Sequence, residues 1–196
     1  MRFDAAQAPG RPSLAVDFVL GTPIRPRGPA YTAVRVAEAM AVPGLEVRMF
    51  GQPNLWPGAP PVPVVGRWPF PGAGLVARSP HERVKAFLRR FTERDLLRFL
   101  DRSADGRHIV YTWSELSLRL AEVLHQRGIP VVREKINCGK AMAQRILAEA
   151  YDALGEKMPS PIPAAVIAKE ARELEVADAV FCPSPMVARS LREQEG

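Results

Sequence analysis

The 196-residue chain has only two cysteines, Cys138 and Cys182, with no CxxC pair and no zinc-ligand spacing. That argues against a disulfide framework or a structural zinc site, and both read as reduced packing residues of a cytoplasmic protein. Long apolar runs are missing too. No stretch approaches the roughly 18 residues that a membrane-spanning helix needs. Residues 1–12, MRFDAAQAPGRP, lack the apolar centre of a secretory signal and read as a disordered tail. His81, His108 and His125 have no metal-ligand spacing and read as structural, so no metal is expected. GxSxG, Walker and HExxH patterns are absent, which argues against a self-contained hydrolase or ATPase. There is no GxGxxG fingerprint and no internal repeat.

What is present is ordinary in amount and uneven in placement. The composition, 47% hydrophobic and 24% charged, is that of a globular domain large enough to bury a core. Of the net charge of +6, residues 1–107 carry +7 and residues 108–196 carry −1. The basic half suits an anionic partner such as a nucleotide diphosphate, lipid phosphate or membrane surface, or is a solvated basic face. Specific nucleic-acid binding is not expected, because no stacking surface or groove-reading motif is interleaved with the basic residues.

Hydrophobic periodicity alternates along the chain. LAVDFVL (Leu14–Leu20) and LEVRMF (Leu45–Phe50) read as strands around a helix striped by Val34, Ala37 and Met40, a βαβ unit. The region 52–80 is a proline-rich loop containing Trp56, Trp68 and Phe70, with Val62–Val65 as a short edge strand. Pro80–Leu100 reads as a basic amphipathic helix, with a break or kink near Thr92, where Thr92 and Asp95 have capping-box spacing. It is either a peripheral membrane contact through 80–102 or a core helix with a charged outer face.

HIVY (His108–Tyr111) is the next strand, with Ser114 as the cap of a helix ending at Gly128. Ile129–Val132 is another strand, followed by a helix striped by Ala143, Ile146, Leu147, Ala150 and Leu154. After a proline-rich turn come the helix Ala164–Val176 and a buried apolar strand, Ala179–Cys182. Ser184 then caps a helix that Pro185 opens. The expectation is one α/β domain over 13–196: a Rossmann-like, doubly wound, mainly parallel sheet of about six strands with helices on both faces.

In such sheets ligands bind outside the carboxyl ends of the strands. The loop after the first strand, GTPIRPRGP, sets Gly21, Thr22, Arg25, Arg27 and Gly28 before a helix start, where amides, dipole and guanidinium groups suit a phosphate or carboxylate. The alternative is an ordinary connection. Arg133 and Lys135 are further anion candidates, in a loop where Glu134 could serve as a base or hold a sugar hydroxyl; a local ion pair is the alternative. Trp113 offers a ring to a sugar face or is a half-buried structural residue.

ADAVFCPSPMVARSL (Ala177–Leu191) resembles the segment closing the amino-terminal domain of family 4 (group 1) glycosyltransferases, which have two Rossmann-like domains. VVREKINCGKAMAQRILAEAY (Val131–Tyr151) resembles a strand–loop–helix earlier in that domain. The resemblance runs over 14–196 and is best from Val131 onward. It implies one half of a GT-B fold: an acceptor-side domain of a transferase that takes a sugar from a nucleotide-sugar donor. By this resemblance the acceptor, a small molecule, glycan or lipid, meets Trp113, Glu134, Asn137 and Ser184, and the diphosphate meets Arg25, Arg27, Arg133 and Lys135.

The family's Gly-Gly pair is missing from the first loop. Its two donor-binding glutamates eight apart have no counterpart, since Glu38 and Glu46, the one pair so spaced, straddle Pro43-Gly44 in the wrong half. The resemblance therefore implies that the domain binds no cofactor or donor alone and is inactive without a carboxyl-terminal donor domain. The location implied is the cytoplasm or the inner face of the membrane. The other readings are a non-catalytic Rossmann-like binding module, a partner of a separately encoded donor domain, and a fragment without function of its own.

Overall fold

The structure, a computed structural model, describes residues 14–66, 82–103, 107–113 and 117–193, without the side chains of Glu82 and Arg83. The tail over 1–12, most of the proline-rich loop's second half, His81, Ser114 and Glu115 lie outside the described residues. The strands are β1 (Leu14–Leu20), β2 (Leu45–Phe50), β3 (Val64–Val65), β4 (Arg107–Trp113), β5 (Val131–Glu134) and β6 (Ala179–Phe181). The helices are α1 (Gly28–Met40), α2 (Glu82–Leu100), α3 (Leu118–Gln126), α4 (Lys140–Ala153), α5 (Ala164–Glu175) and α6 (Pro185–Arg192). The strands form one sheet in the order β3-β2-β1-β4-β5-β6. The pairs β1–β2, β1–β4, β2–β3 and β5–β6 are parallel. This is the doubly wound α/β arrangement, with the strand order reversing between β1 and β4.

The chain divides into two compact units, Met1–Val131 and Val132–Gly196. In the first, β1 is buried along nearly its whole length because both its faces are covered. Val19, Phe50 and Val110 point to one face and pack with Leu96 and Leu100 of α2 and Leu120 and Leu124 of α3. α1 covers the other face through the small side chains of Ala30, Ala33, Val34 and Ala37, which let a helix approach the sheet closely.

α2 runs unbroken from 82 to 100, so a break near Thr92 is absent. Thr92 is buried within the helix, and Asp95 accepts from Gln52 Nε2 at 2.7 Å instead of turning back on its own backbone. Its periodic apolar residues simply continue the packed face. The cap of α3 is Ser117, whose Oγ accepts from the Leu120 amide at 3.2 Å. It stands three residues beyond the cap expected at Ser114.

The apolar run of β1 hides an ionic cluster. Asp17 is fully buried, accepting from Arg48 Nε of β2 at 2.8 Å, with His108 Nδ1 of β4 at 2.7 Å from its other oxygen. Parallel register sets this up, pairing Asp17 with Arg48 on one side and Ala15 with His108 on the other. Arg48 also bonds Glu46 at 3.0 Å and lies over the Phe99 ring at 4.3 Å. A carboxylate without water is tolerable only when its oxygens are met by hydrogen-bonding partners, and here one of them is the Arg48 guanidinium.

The second unit is built differently. Among its described residues the buried hydrophobic side chain is Val187, while Arg133, Glu134, Glu170, Glu173 and Ser190 are buried polar ones. Two corrections follow from that. β6 is not a buried strand: Phe181 is 53% exposed. The α4 stripe is not packed either, with Ile146 half exposed and Leu154 at 75%. What holds the unit is a polar clamp. Glu170 of α5 receives Lys135 Nζ at 2.8 Å and the Lys140 amide at 2.5 Å, so it caps α4, whose own N-cap Gly139 has no side chain to offer. Ser190 Oγ accepts from the Gly139 amide at 3.0 Å.

Candidate functional site

The carboxyl edge of the sheet at the β1–β4 reversal is where a doubly wound fold leaves a crevice. The loop from β1 to α1 rises there, and it is pinned midway. Ile24 is fully buried and makes an isolated parallel bridge to Asn54, with Ile24 N donating to Pro53 O at 3.0 Å and Leu55 N donating to Ile24 O at 2.7 Å. Gly51 permits this approach, since a Cβ there would stand 2.8 Å from Ile24 Cγ1. Two extended segments are thus clipped together, and residues 25–28 are carried straight to the helix start.

That start is open. Arg27 occupies the N-cap in an extended conformation without a capping side chain, and no acid sits in the first turn of α1. Gly28 has a φ of +64°, a left-handed backbone that costs a residue with a Cβ roughly 1–2 kcal/mol. Thr22 and Arg27 are exposed. Arg25 is partly buried, and its Nε is shut from water with no hydrogen-bond acceptor among the described residues. A free helix N-terminus beside two guanidinium groups is an anion-attracting arrangement.

Beside this loop an aromatic pair went unnoticed in the sequence. Tyr31, in the first turn of α1, stacks on Trp56 at 6.1 Å between centroids and 4° between planes. Arg35 lies 5.1 Å over the Tyr31 ring and bonds Glu38 at 2.6 Å. Trp56 is held by its amide donating to Asn54 Oδ1 at 3.0 Å, next to the Ile24 bridge. The signal was faint: a tyrosine three residues after a left-handed glycine, and a tryptophan six residues past a strand.

The other sequence candidates are placed as follows. Trp113 is 5% exposed, at the end of β4. A ring buried to that degree presents no free face. In the second unit Arg133 donates to Glu173 Oε2 at 2.7 Å, and Lys135 is bound to Glu170. Both cations therefore neutralise acids 35 to 40 positions away, a partner set that local spacing cannot reveal. Glu134 is buried and Asn137 exposed. Ser184 Oγ accepts from the Val187 amide at 3.3 Å, the capping role its sequence promised. Glu38 and Glu46 each pair with a neighbouring arginine, Arg35 and Arg48. Among the described residues no group of three His, Cys, Asp or Glu is placed to hold a metal ion. No helix among them is long and apolar enough to cross a membrane.

By architecture, then, this is a Rossmann-like α/β protein. No protein-family model matches the chain, and no curated protein matches it. Among solved structures it is similar to a UGT transferase from Siraitia grosvenorii in complex with UDP, at 13% identity and a TM-score of 0.46. The match takes in 92% of this chain and 48% of the other, so the chain spans about half that structure's length.

Proposed function

We propose that the chain is the acceptor-side, Rossmann-like half of a glycosyltransferase that uses a nucleotide-sugar donor, acting together with a donor-binding domain. The observation that carries this reading is Arg25, whose Nε is buried without an acceptor between a switch-point strand and an uncapped helix start. A buried donor left unmet costs on the order of 1–3 kcal/mol. An anion seated at the loop offsets that cost and draws on the α1 dipole as well.

In this reading Arg25 and Arg27 hold a phosphate or carboxylate of the acceptor, or the departing diphosphate. Gly21, Thr22 and Gly28 let backbone and hydroxyl come close, and the Tyr31–Trp56 pair gives a sugar ring an apolar wall. The chemistry asked of these groups is positioning and stabilisation of negative charge. Arg133 and Lys135 drop out of the reading, because each already serves a buried carboxylate. The resemblance of Val131–Leu191 to family 4 transferases and the doubly wound parallel sheet support the assignment.

Calorimetric titration with a panel of nucleotide sugars and phosphorylated acceptors tests it. The expected result is saturable binding of at least one anionic member, weakened about tenfold by Arg25→Gln, as loss of one charge-assisted bond implies. No binding across the panel, or binding indifferent to Arg25, overturns the reading. Radiolabelled sugar transfer by these 196 residues alone would refute the need for a donor domain.

A further inference from the structure

A second cationic feature lies away from the β1–α1 loop. α2 and α3 enclose a groove of about 860 Å³ within the first unit, lined by six arginines and two acidic residues. Both acids are already engaged. Asp101 pairs with Arg127 at 2.7 Å, and Glu93 accepts from the Ser117 amide at 3.0 Å, each contact tying the two helices together. Arg90, Arg98 and Arg119 are exposed and have no ion pair among the described residues, and Arg94 rests only on the Phe91 ring at 4.7 Å.

Arg90, Arg94 and Arg98 recur every four residues on α2, so their stems rise in steps of about 6 Å along one line. Like charges at that spacing repel and weaken the helix. Arginine is used throughout and lysine nowhere in the lining. Its planar fork matches two oxygens of one phosphate, whereas an ammonium is a point charge. Leu97, Leu120 and Val123 add apolar side chains to the lining among the charged ones.

We propose that the α2–α3 groove is a binding site for a ligand carrying two or more phosphates, either free in solution or displayed as lipid headgroups. The row of guanidinium groups on α2 takes successive phosphates, and Arg119 closes the opposite wall. This site is independent of the transferase reading: its arginines belong to a different pair of elements, and Arg25 has no part in it.

The test is calorimetric titration of the full chain with inorganic tripolyphosphate, against sodium sulfate at matched ionic strength. Flotation with phosphatidylcholine vesicles, with and without phosphatidylglycerol, runs beside it. The wild type is expected to bind tripolyphosphate at least tenfold more tightly than sulfate. Arg90→Gln/Arg94→Gln/Arg98→Gln should lose that binding by a factor of ten or more, and Arg119→Gln, which leaves α2 untouched, should lose part of it. The corresponding triple Lys variant should fall between the two, having kept charge and lost the fork.

Melting curves and the far-ultraviolet spectrum confirm that each variant is folded. Flotation only with phosphatidylglycerol, abolished in the triple Gln variant, assigns the phosphates to headgroups; tripolyphosphate binding without flotation assigns them to a soluble ligand. No preference over sulfate and no flotation, full affinity in the triple Lys or triple Gln variant, or stronger binding of a single-stranded oligonucleotide would each overturn the proposal.

Discussion

Replacing Asp17 by alanine should be among the most damaging single changes in the first unit. Asp17 is fully buried and gives one oxygen to Arg48 Nε at 2.8 Å and the other to His108 Nδ1 at 2.7 Å. Removing one partner of a buried ion pair costs about 3–5 kcal/mol, most of it from the charge left behind. Arg48 has two consolations, Glu46 at 3.0 Å and the Phe99 ring at 4.3 Å, which place the expected loss near the lower end, about 3 kcal/mol. For a chain of this length each kcal/mol moves the midpoint by about 2–4 °C, so a fall of about 6–12 °C is expected by calorimetry. The sharper assay is the double variant. Asp17→Leu with Arg48→Met removes both charges at once and should recover most of the loss, because neither ion then remains uncompensated. A single variant that melts within about 2 °C of wild type, under 1 kcal/mol by the same conversion, would refute the reasoning. So would a double variant worse than the sum of its parts.

Two further outcomes concern the second unit. Glu170→Ala deprives Lys135 of its partner and α4 of its cap, and should cost about 2–4 kcal/mol locally; the readout is faster amide hydrogen exchange through Lys140–Ala153 with β1 unchanged, and equal exchange would count against the clamp. Burial pushes the Cys182 thiol up, and Glu134 adds to the rise while Arg192 and Lys135 oppose it. A raised thiol holds less thiolate at any given pH, so iodoacetamide alkylation of Cys182 in a Cys138→Ala chain should turn on at higher pH than for free cysteine; an inflection at or below that of free cysteine would contradict it.

The first unit was legible because its signals are short-range. LAVDFVL is nearly all apolar and LEVRMF alternates, and the helix between them is bounded by a left-handed glycine and Pro43. The Ser184–Pro185 start needed only two residues to read, and the observed bond spans three positions. What escaped depends on register or on distance along the chain. Asp17 sat unexplained inside an apolar run, since its partners lie 31 and 91 positions away. Periodicity in α4 and in Ala179–Cys182 implied packing, yet Leu154 and Phe181 stand in solvent. An apolar stripe states what a helix could bury, and something must be present to cover it. In the second unit Glu170, Glu173 and Ser190 hold that place instead. At the candidate site, Arg25 and Arg27 could be picked out beside a helix start, whereas the Ile24 clip to Asn54 and the Tyr31–Trp56 stack join residues 30 and 25 positions apart, a loop meeting a loop in the first and a helix turn in the second.

The clamp around Glu170 bears on how the molecule meets temperature. Opening an assembly that hides carboxylates and guanidinium groups releases little hydrocarbon into water, and newly wetted polar surface lowers the heat capacity where newly wetted hydrocarbon raises it. The calorimetric stability of residues 132–193 should therefore bend only gently between chilling and warmth, while the hydrocarbon-rich sheet of the first unit follows a steep arch.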